Sequence, residues 1–129
     1  MIESMNISCG TDIIEVERIK RAIEKQGIKF LNEIYTAKEI EYCESKNVMK
    51  YEHYAARFAG KEAIFKATSK LLENKYDLKW QDMEILNDSN GRPYVTLTKG
   101  IIKEEIEIDI SLSHIKDYAI ANCVIKVCE

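Results

Sequence analysis

Prolines, glycines and histidines are scarce in this sequence, and what is missing excludes several classes of protein. One proline and five glycines in 129 residues leave no low-complexity segment. The four cysteines form no C-x-x-C pair and do not cluster with the two histidines, which argues against a zinc site. No cationic start precedes an apolar run, and no apolar stretch is long enough to cross a membrane. We therefore expect a cytoplasmic protein with reduced thiols and no membrane partner.

The net charge and the length of the chain narrow the class of protein further. The net charge of −3 argues against a general nucleic-acid binder, although local basic patches remain. The composition, 46% hydrophobic and 32% charged, is that of an ordinary folded protein, and the length predicts a single domain over residues 1–129. A domain of this size buries about two thirds of the surface of its unfolded chain, so oligomerisation would be a natural supplement.

Helices are predicted mainly in the first half of the chain. A short strand over residues 5–14 is followed by a helix over about 15–27 that ends at a glycine C-cap. Thr36 and Glu39 have the spacing of a capping box, at which a third helix begins. The longest helical pattern covers about 51–72.

Strands are predicted mainly in the second half. Residues 83–87 and 94–98 are two strands joined by a turn that contains Asn-Gly, and a short helical segment is predicted over 101–105. Residues 106–112 alternate between apolar and polar, and residues 118–127 are apolar on both faces, which predicts a central strand. The predicted fold class is α+β, with N-terminal helices packed on an antiparallel sheet.

Glu62 is the unusual residue of the long helix, because it borders an apolar stripe where a carboxylate is costly unless a positive group meets it. The stripe consists of Tyr51, Tyr54, Ala55, Phe58, Phe65 and Leu72. Four basic residues lie nearby in the sequence, more than one carboxylate needs to balance its charge: Arg57, Lys61, Lys66 and Lys70. The helix could hold a cation through Glu62 and an anionic ligand through its basic residues. The alternative is an ordinary i,i+4 pair of Glu62 and Lys66 on a solvated face.

Asp12, Glu39 and His114 have two interpretations each. Residues 10–12 interrupt the first predicted strand, and Asp12 is there either a catalytic or metal ligand or a helix N-cap. Glu39 is a capping residue or a base. His114 ends a half-buried strand and is either a structural residue or a contact for a phosphate.

A basic strip is predicted on the first helix, where Arg18, Arg21 and Lys25 share one face at spacings of three and four. The strip could dock an acidic partner. Alternatively, it is a solvated face whose charges complement the helix dipole.

Three segments of the sequence stand out together. They are Gly10-Thr11-Asp12-Ile13-Ile14-Glu15-Val16-Glu17-Arg18-Ile19, Arg57-Phe58-Ala59-Gly60-Lys61-Glu62-Ala63-Ile64-Phe65-Lys66-Ala67 and Ser111-Leu112-Ser113-His114-Ile115-Lys116-Asp117-Tyr118-Ala119. In this order they resemble the holo-acyl-carrier-protein synthases, the small bacterial type of 4′-phosphopantetheinyl transferase. The turn Asn90-Gly91-Arg92-Pro93-Tyr94 also matches, and the resemblance spans nearly the whole chain. Gly60, where alanine is common in the family, is a departure that affects no proposed ligand.

The resemblance implies a reaction. The phosphopantetheine arm of coenzyme A moves to a serine hydroxyl of an apo acyl carrier protein, and adenosine 3′,5′-bisphosphate is released. The chemistry needs a cation on the pyrophosphate and a group that takes the serine proton. Glu39, Asp12 and water are the candidates for that group.

The resemblance also implies roles for individual residues. Asp12 and Glu62 match the ligands of one Mg²⁺, Lys66 matches a lysine that contacts the phosphates, and these three are expected to be catalytic. The residues expected to contact the coenzyme are Arg57, Lys61, Lys66, Arg92, Pro93 and His114. Arg57 and Lys61 could instead pair with carboxylates. Those expected to dock the carrier protein are Arg18, Arg21 and Lys25. Family members of this size are cytoplasmic homotrimers with active sites between neighbouring subunits.

Two alternatives to this function remain from the residues alone. One is another Mg²⁺-dependent phosphodiester enzyme such as a nuclease, against which the acidic balance and the absence of interleaved aromatic and basic residues count. The other is a non-catalytic module that binds acidic partners through the basic strip. In that case Asp12 and Glu62 would have no purpose.

Overall fold

The computed structural model describes residues 6–128. The α-helices in this range are α1 (Val16–Gln26), α2 (Ile28–Ile34), α3 (Ala37–Glu44) and α4 (Lys50–Thr68). The strands are β1 (Ile7–Glu15), β2 (Met83–Asn87), β3 (Pro93–Leu97), β4 (Ile106–His114) and β5 (Tyr118–Val127). Short 3₁₀ turns cover Asn47–Met49, Ser69–Leu71, Lys75–Asp77 and Trp80–Asp82. The predicted α+β class is confirmed.

The strands form two antiparallel sheets. The larger has the order β1-β5-β4, and β2 and β3 form a separate hairpin. β5 is the central strand of the larger sheet, as its apolar pattern predicts. β1 and β4 are therefore its two opposite edges.

Helix α4 lies against the larger sheet and contacts all three of its strands. Its buried residues are mostly small, and they include Ala55, Ala56, Ala59, Gly60, Ala63 and Ala67. A Cβ atom at Gly10 of β1 would overlap the backbone of Ala63 and Ala67. At Gly60 a Cβ would press on the side chains of Ile85 and Leu112. Small residues on both elements thus allow the close approach of α4 to β1.

The first strand is longer than the sequence pattern predicts. Residues 10–12 do not interrupt β1, which continues to Glu15 with Asp12 opposite Ala121 of β5. Gly10 is needed for the approach of α4 and not for a turn, so the glycine was misleading as a strand terminator. Asp12 is not a helix cap either, because Glu15 holds the N-cap position of α1 and its side chain makes no capping bond.

Two further predictions differ from the structure. Residues 101–105 form bends and no helix, which is consistent with the high cost of nucleating a helix over so few residues. The long helix ends at Thr68 and continues only as a 3₁₀ turn. In the predicted apolar stripe, Tyr54 and Ala55 are fully buried, as that prediction requires. Phe58 and Phe65 are partly buried and pack against the ring of Trp80 at centroid distances of 5.0 and 5.2 Å. Within residues 6–128, no helix has the length and apolar character needed to cross a bilayer.

Candidate active site

The Asp12 carboxylate meets the Lys66 ammonium where β1 contacts α4. Asp12 lies on the same face of β1 as the buried Gly10 and Ile14, so its side chain is on the helix side of the sheet. The Lys66 Nζ atom lies 3.3 Å from Asp12 Oδ1 and donates to the carbonyl oxygen of Thr11 at 2.8 Å. The Lys66 side chain is still 53% exposed, so its ammonium is accessible to a ligand.

Glu62 lies one helical turn before Lys66, near Asp12. The Glu62 side chain is partly buried, and this burial, together with the charge of Asp12, raises the pKa of its carboxyl group, while Lys66 lowers it. Two carboxylates held together in a partly desolvated place disfavour each other's charged form. A cation between them would relieve this repulsion.

The donor set fits Mg²⁺ better than a closed structural metal site. In the part of the chain that the structure describes, no cluster of three or more His, Cys, Asp and Glu side chains could hold a metal ion. Structural zinc requires about four protein ligands. Mg²⁺ is commonly bound through one or two carboxylates and completes its shell with waters and substrate phosphate oxygens. Asp12 and Glu62 therefore fit a metal ion that is shared with a phosphate ligand.

An open cleft of about 600 Å³ adjoins Glu62 and Lys66. Its apolar lining consists of Phe65, Leu72, Tyr76, Leu78 and Trp80. The exposed Lys75 and Lys79 also line it. The cleft can therefore receive a long, weakly polar group that continues from an anion bound near Lys66.

A second pocket, of about 180 Å³, surrounds the side chain of Arg57 and is called the Arg57 pocket below. Arg57 is only 2% exposed; it donates to Asn87 Oδ1 at 2.8 Å and its guanidinium lies 4.2 Å from the centre of the Tyr42 ring. Its Nε atom is buried and has no hydrogen-bond partner among the described residues. A buried donor left unpaired costs about 1–3 kcal/mol, so the hydrogen-bonding capacity of Arg57 is not fully satisfied by the described residues.

Two histidines complete the Arg57 pocket, which Pro93 also lines. His114 Nδ1 lies 2.9 Å from Glu52 Oε1, which leaves Nε2 for a further partner. The ring of His53 packs edge-on against that of His114 at 4.8 Å. The expected coenzyme contacts Arg57, Pro93 and His114 are thus brought together by the fold.

The Arg57 pocket and the Asp12 site lie on opposite sides of α4. Arg57 and Lys66 are nine residues apart, which is about 180° around an α-helix. Asp12 belongs to edge strand β1, and His114 belongs to β4 at the opposite edge of the same sheet. One chain therefore presents two separate sites, the Asp12 site and the Arg57 pocket.

A model of the 4′-phosphopantetheinyl transferase superfamily matches residues 8–123. The chain belongs to this superfamily. It is 48% identical to a holo-[acyl-carrier-protein] synthase of Ruminiclostridium cellulolyticum, in an alignment that covers 95% of this chain and 94% of the relative. It is 41% identical to a protein of the same name from Protochlamydia amoebophila, with 93% and 98% of the two chains covered.

Solved structures of such synthases share the fold. The Bacillus anthracis synthase in complex with coenzyme A (3′,5′-ADP) is 31% identical, with a TM-score of 0.76 and coverage of 94% of this chain and 96% of that chain. The Helicobacter pylori synthase in complex with coenzyme A is 29% identical, with a TM-score of 0.74 and coverage of 93% and 99%. The family and fold predicted from the sequence are confirmed.

Lys61 of this transferase reaches neither pocket. Its side chain is fully buried, and Nζ lies 2.7 Å from Glu39 Oε1. It also donates to the carbonyl oxygens of Ile34 at 2.7 Å and Trp80 at 3.0 Å. Three oxygens thus occupy the three ammonium protons, so the prediction that Lys61 contacts the coenzyme is wrong and the alternative, that it pairs with a carboxylate, is confirmed. Burial has the larger effect and lowers the pKa of Lys61 below its ordinary value, although the Glu39 carboxylate acts in the opposite direction.

Glu39 is a structural residue. The predicted capping box is confirmed, since Thr36 N–H donates to Glu39 Oε1 at 2.8 Å and Glu39 N–H donates to Thr36 Oγ1 at 3.3 Å. Glu39 Oε2 accepts from the backbone N–H of Ile85 at 2.8 Å. With both oxygens engaged and no solvent exposure, Glu39 cannot reach a serine hydroxyl, and it is withdrawn as a candidate base.

Arg92 and the basic strip are exposed. The Arg92 Nη2 atom lies 3.2 and 3.1 Å from the two carboxylate oxygens of Asp109, whose side chain lies on the outer face of the larger sheet. All three residues of the basic strip, Arg18, Arg21 and Lys25, are exposed. Arg21 pairs with Glu17 at 3.4 Å, and both side chains are well exposed. The strip is therefore accessible to a partner.

Sequence reasoning missed three residues of the Arg57 pocket, namely Tyr42, His53 and Asn87. His53 precedes Arg57 by four residues, so the helical spacing alone places it on the same face. Tyr42 and Asn87 come from α3 and the end of β2. No local pattern signals that these elements converge on α4.

Proposed function

We propose that this transferase moves the 4′-phosphopantetheine arm of coenzyme A to a serine of an apo acyl carrier protein, with Mg²⁺ as cofactor, in fatty acid biosynthesis. The observation that carries the proposal is the meeting of Asp12, Glu62 and Lys66 beside an open apolar cleft. The names of its relatives, holo-[acyl-carrier-protein] synthases, and the coenzyme A complexes of its structural neighbours support it.

In this proposal Asp12 and Glu62 hold the metal ion. Bound there, Mg²⁺ supplies positive charge to the pyrophosphate oxygens of coenzyme A. The two carboxylates come from β1 and α4, which Gly10 allows to lie in contact. Their shared position on a rigid strand and helix fixes the distance between them without a third protein ligand.

The protein's own groups stabilise the departure of the nucleotide. The serine oxygen forms a bond to the pantetheine-side phosphorus, the bond to the bridging oxygen breaks, and adenosine 3′,5′-bisphosphate leaves with the extra negative charge. The accessible Lys66 ammonium lies at this place and stabilises that charge. With Glu39 buried in the capping box, Asp12 or a water molecule takes the serine proton.

The apolar cleft beside Glu62 receives the pantetheine arm. The arm is long and only weakly polar, which matches the lining of Phe65, Leu72 and Trp80. Because Glu62 and Lys66 belong both to the cleft and to the Asp12 site, an arm in the cleft keeps its phosphate next to them. Holding the arm in place lowers the entropic cost of the transfer.

The nucleotide end binds the Arg57 pocket of a second subunit. Within one chain this pocket and the Asp12 site face away from each other across α4. The Asp12 site suits the pyrophosphate of coenzyme A, and the Arg57 pocket suits its nucleotide end. The Arg57 guanidinium and the His114 imidazole suit a phosphate. Pro93 lines the pocket, and the adjacent Arg92 is exposed.

A homotrimer would bring the Asp12 site of one subunit next to the Arg57 pocket of another. The outer face of the larger sheet carries exposed apolar side chains on neighbouring strands: Ile7, Ile13, Tyr118, Ile120 and Val124. An apolar patch of this kind is typical of a protein–protein interface. We expect a trimer by native mass spectrometry, and Ile120→Asp should dissociate it and abolish transfer. A monomeric wild-type protein with full activity would refute the shared site.

The carrier protein is expected to dock on the basic strip of α1, whose exposed charges complement an acidic partner. The cytoplasm is the expected compartment. Cys9, Cys43, Cys123 and Cys128 are all free thiols, which suits a reducing environment.

The experiment that tests the proposed reaction is mass spectrometry of an apo acyl carrier protein incubated with the enzyme, coenzyme A and Mg²⁺. The carrier should gain the mass of one phosphopantetheine arm, and adenosine 3′,5′-bisphosphate should appear in equal amount. An unmodified carrier under these conditions, with the enzyme folded, would contradict the proposal.

A further inference from the structure

His53 occupies a position in the Arg57 pocket that the reaction described above does not use. Its ring lies between two other rings, 4.8 Å from His114 and 5.5 Å from Tyr42, and it meets both edge-on. Neither ring nitrogen of His53 forms a hydrogen bond or an ion pair with a described residue. The pocket therefore contains an imidazole that is fixed in place by packing but has no polar partner.

Burial and the charges nearby keep His53 neutral. Burial has the largest effect on the pKa of His53; together with His114, Arg57 and Lys46 it lowers this pKa to about 4, and Glu52 opposes them. These groups come from α4, from the end of β4 and from the segment after α3, and the Tyr42 ring on α3 adds no charge. At neutral pH the pocket thus contains a proton acceptor close to the positive charges of Arg57 and Lys46.

We propose that His53 is a specificity-determining residue of the Arg57 pocket, which takes up a proton when a phosphate monoester binds there and so favours coenzyme A over 3′-dephospho-coenzyme A. This inference rests on the proposed function. Coenzyme A carries a pyrophosphate and one phosphate monoester, on the ribose 3′-oxygen. If the pyrophosphate binds at Asp12, Glu62 and Lys66, the monoester is the phosphate left for the Arg57 pocket.

The physical basis is the change in electric charge around the His53 imidazole when a phosphate binds. A phosphate monoester carries a charge of about −1.5 to −2 near pH 7, and in the Arg57 pocket it would offset the positive charges of Arg57 and Lys46, which help to hold His53 neutral. An anion within a few ångströms favours the charged form of an imidazole. Protonated His53 then donates a charge-assisted hydrogen bond to the phosphate.

The test is calorimetric titration of the full-length enzyme with coenzyme A and with 3′-dephospho-coenzyme A near pH 5.5, in two buffers of different ionisation enthalpy. The difference between buffers gives the number of protons taken up. His53→Phe keeps an aromatic ring between Tyr42 and His114 but cannot titrate. His53→Gln is a second non-titrating variant, and thermal melting checks that each variant folds.

We expect the wild type to take up nearly one proton more than either variant with coenzyme A, and no more than the variants with the dephospho analogue. The preference of the wild type for coenzyme A should exceed that of His53→Phe by about tenfold at pH 5.5, and the two should converge by about pH 8.5. Equal proton uptake in wild type and variants would overturn the role of His53. Failure of coenzyme A to bind any of the proteins would instead overturn the proposed function.

Discussion

Lys61 and Lys66 lie five residues apart on α4 and have opposite environments. Lys61 is fully buried, 2.7 Å from an equally buried Glu39, with two backbone carbonyls as further partners. Lys66 is half exposed, 3.3 Å from Asp12, beside the open cleft. The first pair joins α4 to α3 and the β2 hairpin. The second pair is accessible to a ligand, so the same residue type has a structural function in one place and a chemical one in the other.

The comparison shows which electrostatic interactions contribute to stability and which to activity. Removing one partner of a buried pair leaves an uncompensated charge in a poorly solvated interior, which is costly. Removing one partner of an exposed pair costs the fold little, because water replaces it. Substitutions around α4 should therefore separate into those that unfold the protein and those that leave a folded, inactive enzyme.

Glu62→Gln should have the largest effect on activity. The amide cannot supply the negative charge that the cation needs, so transfer should fall by about 10³-fold or more, while the fold is retained because Glu62 is only partly buried. Steady-state transfer assays and thermal melting measure the two effects. Glu33→Gln, at an exposed position of α2, is the control and should retain full activity.

Lys61→Met should have the largest effect on stability. It leaves Glu39 charged and buried, and the free energy of unfolding should fall by about 3–5 kcal/mol in urea denaturation. Lys66→Met is the matched control on the same helix and should lose less than about 1 kcal/mol. The double variant Lys61→Met/Glu39→Gln should recover part of the loss. Similar losses for Lys61→Met and Lys66→Met would contradict the distinction between the two pairs.

Lys66→Gln should lower kcat by about 10²–10³-fold, as expected for the loss of a group that stabilises developing charge. The melting temperature should change little, since the Lys66 side chain is half exposed and water can replace part of its contact with Asp12. Lys29→Gln, on the exposed side of α2, is the control. A kcat close to that of the wild type would remove Lys66 from the reaction.

Arg18→Glu should have the smallest effect, an increase of about tenfold in the KM for the carrier protein with an unchanged KM for coenzyme A. The charge reversal acts on the encounter with an acidic partner, and Arg18 is exposed on α1 and lines neither the cleft beside Glu62 nor the Arg57 pocket. Lys99→Glu, in an exposed turn after β3, should leave both constants unchanged. Equal changes in the two KM values would discard the basic strip.

The parts of this structure that sequence could predict are those fixed by local pattern. The capping box of Thr36 and Glu39, the C-cap at Gly27 and the central strand β5 follow from short-range spacing, and each is present in the structure. The Asp12–Glu62 site was reached through motif resemblance, although the local structure at Asp12 was predicted wrongly. The pattern at Gly10 predicts the end of a strand, whereas this glycine allows contact with helix residues more than fifty positions away.

What sequence could not predict depends on contacts between distant elements. Nothing in the segment from Arg57 to Ala67 tells which lysine is buried, because the burial of Lys61 depends on Glu39 and on the Ile85 backbone that orients it. The Arg57 pocket likewise requires α3, α4, β2 and β4 to converge. These arrangements become visible only when the chain is folded.

The most direct test of the shared cation site is electron paramagnetic resonance with Mn²⁺ in place of Mg²⁺, in the presence of coenzyme A. The account predicts one tightly bound Mn²⁺ per chain in the wild type and in Glu33→Gln. It also predicts loss of that ion in both Asp12→Asn and Glu62→Gln. Retention of the bound ion in either of the last two variants would contradict the claim that the two carboxylates hold one metal.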